Sequence, residues 1–79
     1  MERAEALVTI KEVAAEVLSV DPDLVTETAR FKEDLDADSL DLVELVMALE
    51  EEFDVTVDEE ELDGIETVGQ ALTLVTSKL

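Results

Sequence analysis

The chain has 79 residues, of which 23 are acidic and five basic, for a formal net charge of −18, and 47% are apolar. Nucleic-acid binding needs Lys and Arg to displace counterions from phosphates, and anionic membranes attract basic segments, so both partner classes are excluded. The charge selects a basic partner or a cation, and self-repulsion of this size makes the fold more stable in salt.

The N-terminal run Met1-Glu2-Arg3-Ala4-Glu5 is acidic and lacks the apolar core of a signal peptide. No stretch approaches the roughly 20 apolar residues that span a bilayer. The expectation is a soluble, cytoplasmic, monomeric protein. Residues 3–18 place Ala6, Leu7, Ile10, Val13, Ala14, Val17 and Leu18 on one face at helical spacing, with Glu5, Glu12 and Glu16 outside it. From Ser19 to Lys32 the pattern is irregular. Asp21-Pro22-Asp23 is a turn signal, Pro22 blocks continuation of the first helix, and Val20, Leu24, Val25 and Phe31 are expected to fold this loop onto the core. An ordered connection of this length suggests a functional role.

A second helix is predicted from an Asp38 N-cap to about Phe53. Asp54-Val55-Thr56-Val57 is too short for a strand. Asp58 to Leu62 carries acids where a helix N-terminus favours them, giving about one turn that ends at Asp63-Gly64. Thr67-Val68-Gly69-Gln70 is a capping-box pattern that opens a last helix burying Val68, Ala71, Leu72, Val75 and Leu79. Phe31 and Phe53 are the only aromatics, and Gly64, Gly69 and Pro22 the only Gly or Pro. The fold class is therefore all-α: residues 1–79 form a single domain, a small four-helix bundle of three long helices and one short. Its core is aliphatic, and a long loop joins helices 1 and 2.

Within the second helix, Leu42, Leu45, Val46, Leu49 and Phe53 share an arc of roughly 100° that reads as the core stripe. Leu40, Val43 and Met47 form a second stripe, roughly 130° away and rimmed by Glu44, Glu50 and Glu51. Apolar anchors inside a charged rim have the anatomy of a binding surface; alternatively, the stripe packs on the long loop. Of the 23 acids, 16 fall between Glu33 and Glu66, with no Lys or Arg from Glu33 to Ser77. Ser39 heads this helix among Asp34, Asp36, Asp38, Asp41 and Glu44. The chain has no His or Cys, which removes disulfides, thiolate metal sites and the usual base for a serine nucleophile. A serine here is commonly a cap. With Asp38 able to cap, the Ser39 hydroxyl is left beside free N–H groups and the positive end of the helix dipole, a setting that favours an attached phosphate.

The run Asp38-Ser39-Leu40-Asp41-Leu42-Val43-Glu44-Leu45, continuing to Phe53, closely resembles acyl carrier proteins, whose signature is Asp-Ser-Leu followed by an amphipathic acidic helix. Phe31, Glu33-Asp34-Leu35 and Ile65-Glu66-Thr67-Val68-Gly69 fall where that family has its loop phenylalanine and its entry to the last helix. The resemblance implies that Ser39 receives 4′-phosphopantetheine from coenzyme A, through a separate phosphopantetheinyl transferase, and that the chain is no enzyme itself. Asp38 would aid that transfer by holding a Mg²⁺ that also contacts coenzyme A; no resident metal is implied. Asp38, Leu40, Asp41, Val43, Glu44, Met47, Glu50 and Glu51 match the recognition helix for basic patches on ketosynthase, ketoreductase, dehydratase, enoyl reductase and acyltransferase partners. Phe31, Leu45, Val46, Leu49, Leu62, Ile65 and Ala71 match positions that part around an acyl chain. Two departures stand out. Asp36 replaces the usual glycine, in the manner of actinobacterial carriers, and Leu62 replaces a smaller residue.

Fatty-acid synthesis is the implied pathway, from the Val43–Phe53 pattern, with polyketide synthesis as the alternative. Asp34, Asp36 and Asp38 also have the spacing of a calcium loop, but its glycine is Ser39 and its bidentate glutamate is Leu45. Carboxylate acid–base catalysis lacks an evident pocket, and DNA mimicry rests on charge alone.

Overall fold

The computed structural model describes residues 2–79. Four α-helices follow in order: α1 (Arg3–Leu18), α2 (Ser39–Phe53), α3 (Glu59–Asp63) and α4 (Val68–Ser77), with a single 3-10 turn at Pro22–Leu24. This is the small helical bundle expected, three long helices and one short. Helix α1 packs on α2, on α4 and on the 3-10 turn. Ala6, Ile10 and Ala14 form its buried face, with Leu7, Val13, Val17 and Leu18 partly buried against the same core. Leu42, Leu45, Val46, Leu49 and Phe53 are the buried face of α2, and Val68, Ala71, Leu72 and Val75 that of α4. Among the described residues every buried side chain is apolar, so the acids all remain in contact with water.

Helix α1 stops before Pro22 can act. Ser19 adopts a left-handed conformation (φ 56°) and donates its N–H to the Ala15 carbonyl. Pro22 instead opens the 3-10 turn, whose N-cap Asp21 accepts the Asp23 N–H. Val25 and Phe31 fold inward as expected, but Leu24 is exposed, because the turn ends there and points it outward. Leu79 also lies outside the core: α4 ends at Ser77, one turn too early to carry it inward.

The long loop is held by a backbone strap that periodicity does not reveal. The Phe31 N–H donates to the Glu66 carbonyl at 3.0 Å, the Val68 N–H to Ala29 at 3.0 Å and the Gly69 N–H to Glu27 at 2.8 Å. Arg30 and Thr67 sit in the antiparallel bridge between these bonds. Side chains reinforce it: Arg3 donates from Nε and Nη2 to Glu27 Oε1 and from Nη1 to Thr73 Oγ1, tying the start of α1 to the loop and α4.

Gly69 is present because the strap leaves no room for a side chain: a Cβ there would lie 2.8 Å from the Glu27 carbonyl oxygen, a backbone atom. Gly69→Ala is expected to lower stability by about 1–3 kcal/mol, as overpacking does. Gly64→Ala is the control. Its Cβ would meet the Glu61 carbonyl oxygen at an ordinary 3.7 Å, and stability should hold or rise slightly. Denaturant midpoints of the two variants measure the contrast.

Candidate functional site

Ser39 is the first residue of α2, with Asp38 at the N-cap. The Asp41 N–H donates to Asp38 Oδ1 at 2.9 Å, and the Asp38 N–H donates to Asp41 Oδ2 at 3.2 Å. These two bonds form a capping box, in which Asp41 plays a part the sequence reading did not assign to it. Because Asp38 does the capping, the exposed Ser39 hydroxyl makes no hydrogen bond among the described residues. The N–H groups of Ser39 and Leu40 likewise find no acceptor there. An exposed hydroxyl beside two unpaired N–H donors, at the positive end of a 15-residue helix, suits an attached phosphate. The approach to Ser39 is set by Asp36, which takes a left-handed conformation (φ 54°), and by the Ala37 N–H, which donates to the Phe31 carbonyl at 2.8 Å.

A cleft of about 530 Å³ opens beside Ser39. Phe31, Leu42, Val43, Leu62 and Ile65 supply its apolar walls; Arg30, Lys32, Glu33, Asp63, Glu66 and Thr67 supply the polar ones. Of the seven residues expected to part around an acyl chain, Phe31, Leu62 and Ile65 line this cleft. Leu45, Val46, Leu49 and Ala71 do not line it: they are buried in the core. Leu42 and Val43 line it instead. The helical pattern assigned them to the core stripe and the second stripe, and nothing in their spacing marks a cleft. The polar wall comes from the loop and the strap, where no period exists to read.

The second stripe of α2 is a free surface. Leu40 is 66% exposed, Val43 39% and Met47 60%. Glu44 and Glu51 stand exposed beside them. Glu50 is half-buried, its carboxylate accepting the Val57 N–H at 3.2 Å, so it supports the loop after α2 as well as rimming the stripe. Asp38 and Asp41 are engaged in the capping box. Asp34 and Asp38, which share calcium-loop spacing, turn their carboxylates to different backbone donors, the N–H groups of Arg30 and Asp41. Among the described residues no three His, Cys, Asp or Glu side chains converge to hold a metal ion, and no helix is long and apolar enough to cross a membrane.

Helix α3, which carries the Leu62 and Asp63 wall, buries none of its side chains. Lys78 holds it through Nζ to Glu61 Oε1 at 3.1 Å, and the Asp58 N–H donates to the same oxygen at 3.3 Å. The Lys78 ammonium first, and the Asp58 N–H second, hold the Glu61 carboxyl below its ordinary range. Across the cleft, hydrogen bonding to Glu33, with the charges of Glu33 and Asp34 behind it, holds the Arg30 guanidinium above its ordinary value.

A sequence profile of the phosphopantetheine attachment site matches residues 8–75. The chain is 51% identical to the acyl carrier protein of Petrotoga mobilis, covering all of this chain and 93% of that one. It is 48% identical to the acyl carrier protein of Thermosynechococcus vestitus, covering 100% and 98%. Its fold superposes on the solved acyl carrier protein from Enterococcus faecalis with a TM-score of 0.80 and 34% identity, covering 100% of both chains.

A carboxyl held low in the folded state stabilises the fold above its unfolded pKa, and that contribution is lost as pH falls through its folded value. Lys78→Gln removes the principal cause at Glu61. The variant should therefore melt below the wild type at neutral pH, and the difference should shrink towards zero as pH falls below about 4. Melting temperatures of the two proteins across pH check this.

Proposed function

We propose, because this chain belongs to the acyl carrier protein family, that Ser39 is the residue that bears its 4′-phosphopantetheine. The family's prosthetic group is 4′-phosphopantetheine, and when bound it supplies a terminal thiol that carries acyl groups as thioesters. One observation supports Ser39 above all. Its hydroxyl is exposed at the head of α2 and excused from capping by Asp38, while two unpaired N–H groups stand beside it. The cleft next to it, with apolar and hydrogen-bonding walls, suits an arm of alternating amide and alkyl character. Ser39 Oγ would attack the phosphorus of coenzyme A that bears pantetheine, losing its proton and expelling the nucleotide half. A separate transferase must drive this, since the chain has no His or Cys to activate the hydroxyl and the two flanking carboxylates, Asp38 and Asp41, are held in the cap.

In this reading the chain is a carrier and its partners do the chemistry. Leu40, Val43 and Met47, with Glu44 and Glu51 beside them, form the docking face, supported by Glu50 and the Asp38–Asp41 cap. Its charge suits basic patches on the transferase and on the enzymes of fatty-acid synthesis, the pathway favoured by the Val43–Phe53 pattern. Contacts between exposed charges associate fast, weaken with salt and release readily, as a shuttle requires.

Incubation with coenzyme A and a broad-specificity phosphopantetheinyl transferase should add one phosphopantetheine, read as intact mass, and Ser39→Ala should abolish the addition. An unchanged mass, under conditions that load a known carrier, would overturn the assignment. Glu44→Lys and Met47→Ala should each lower kcat/KM with a ketosynthase by about tenfold, while leaving the melting temperature within a few degrees. Wild-type rates for both across a salt series would remove this face from docking.

A further inference from the structure

We propose that Lys32 is the ion-pair partner of the phosphodiester formed on Ser39, a positioning residue that holds the first segment of the arm against the cleft. This rests on Ser39 being the attachment point. Lys32 and Ser39 line the same cleft, and only two of its lining residues are cations. The other cation, Arg30, is committed to Glu33 at 2.5 Å. Among the described residues Lys32 makes no ion pair. Every remaining charged group in the cleft is an acid: Glu33, Asp63 and Glu66. Asp36, Asp38 and Asp41 add three more around Ser39 in the chain, and no further base occurs until Lys78, which is held by Glu61.

A phosphodiester carries a negative charge at every physiological pH, so loading Ser39 adds one more anion to an already repulsive neighbourhood. The α2 N-terminus offsets part of that repulsion through two fixed N–H groups. Lys32 is the uncommitted cation in the cleft. Its flexible stem and three donors let the ammonium follow an anion whose position is not otherwise fixed. Arg30 already faces the Glu33 carboxylate through Nη1, which leaves Lys32 as the cleft's one cation without an anionic partner among the described residues. Lys32 and Ser39 are both exposed, so the pair should weaken as salt shortens the Debye length from about 10 Å at 0.1 M to about 3 Å at 1 M.

The chain has three lysines, Lys11, Lys32 and Lys78, so reductive ¹³C-methylation, which keeps the charge, gives three side-chain probes assignable with single Lys→Arg variants. Spectra are compared before and after loading, with loading verified by intact mass. The Lys32 methyl resonance should shift on loading, while those of Lys11 and Lys78 stay where they were. The ³¹P resonance of the loaded protein should move with added salt in the wild type and in Lys32→Arg, and stay flat in Lys32→Gln. If the loaded protein shows Lys32 moving no more than Lys11 and Lys78, or a ³¹P salt response unchanged in Lys32→Gln, the proposal fails while the Ser39 assignment stands. A chain that does not load overturns both.

Discussion

The three backbone bonds between residues 27–31 and 66–69 are the constraint on which the rest of the site depends. A loop of twenty residues separates α1 from α2, and a loop of that length is mobile unless something fixes it. The strap fixes it at one place and settles several things together. It drives Phe31, 1% exposed, into the core; it brings Arg30, Lys32 and Glu33 across from Ile65 and Glu66; and it opens the cleft between these segments. Ala37 then bonds back to the Phe31 carbonyl. The position of Ser39 is thus referred to the strap within a few residues, even though its own side chain touches little.

Electrostatics shape what surrounds that anchor. With a net charge of −18, the chain works against its own compactness, and the three ion pairs among the described residues are all at least partly exposed. Exposed pairs of this kind contribute little individually, so cohesion falls to the aliphatic core and to the caps. What two of the ion pairs do is join separate segments of the chain. Arg3 ties the head of α1 to the loop and to Thr73 of α4. Lys78 ties α3, which buries no side chain, to the end of α4. Bases are scarce, and two of the five, Arg3 and Lys78, serve as fasteners between segments, while Arg30 pairs locally with Glu33.

The helices and their N-terminal ends were legible in the sequence because they rest on local physics. Asp38 as N-cap, the Thr67–Gln70 box and the two stripes of α2 follow from hydrogen-bond reach and from helical spacing, and all appear where expected. The strap was not legible. It consists of backbone N–H and carbonyl groups, which every residue possesses, paired across about forty residues of chain. The cleft was hidden for the same reason, since its polar wall depends on the strap. Asp36 lies between these cases. Its departure from the family's glycine reads as a simple substitution until the backbone shows φ at 54°, a conformation that glycine adopts freely and aspartate tolerates better than most L-residues. The substitution keeps the turn while adding another acid before Ser39. Leu62, the other departure, supplies cleft wall and packs, partly buried, against the edge of the core.

Val43 joins the two candidate surfaces. It belongs to the exposed stripe with Leu40 and Met47, and it also lines the cleft beside Ser39. Helix α2 therefore presents three faces around one end: a buried stripe that fixes it in the bundle, a free stripe rimmed by acids, and a cleft wall, with the serine at the head of all three. A basic enzyme seated on the free stripe would stand at the mouth of the cleft without any rearrangement of α2. Under the proposed docking and loading, delivery would need no long-range signal, because Val43 lies on the face proposed for partners and also lines the cleft proposed for the arm.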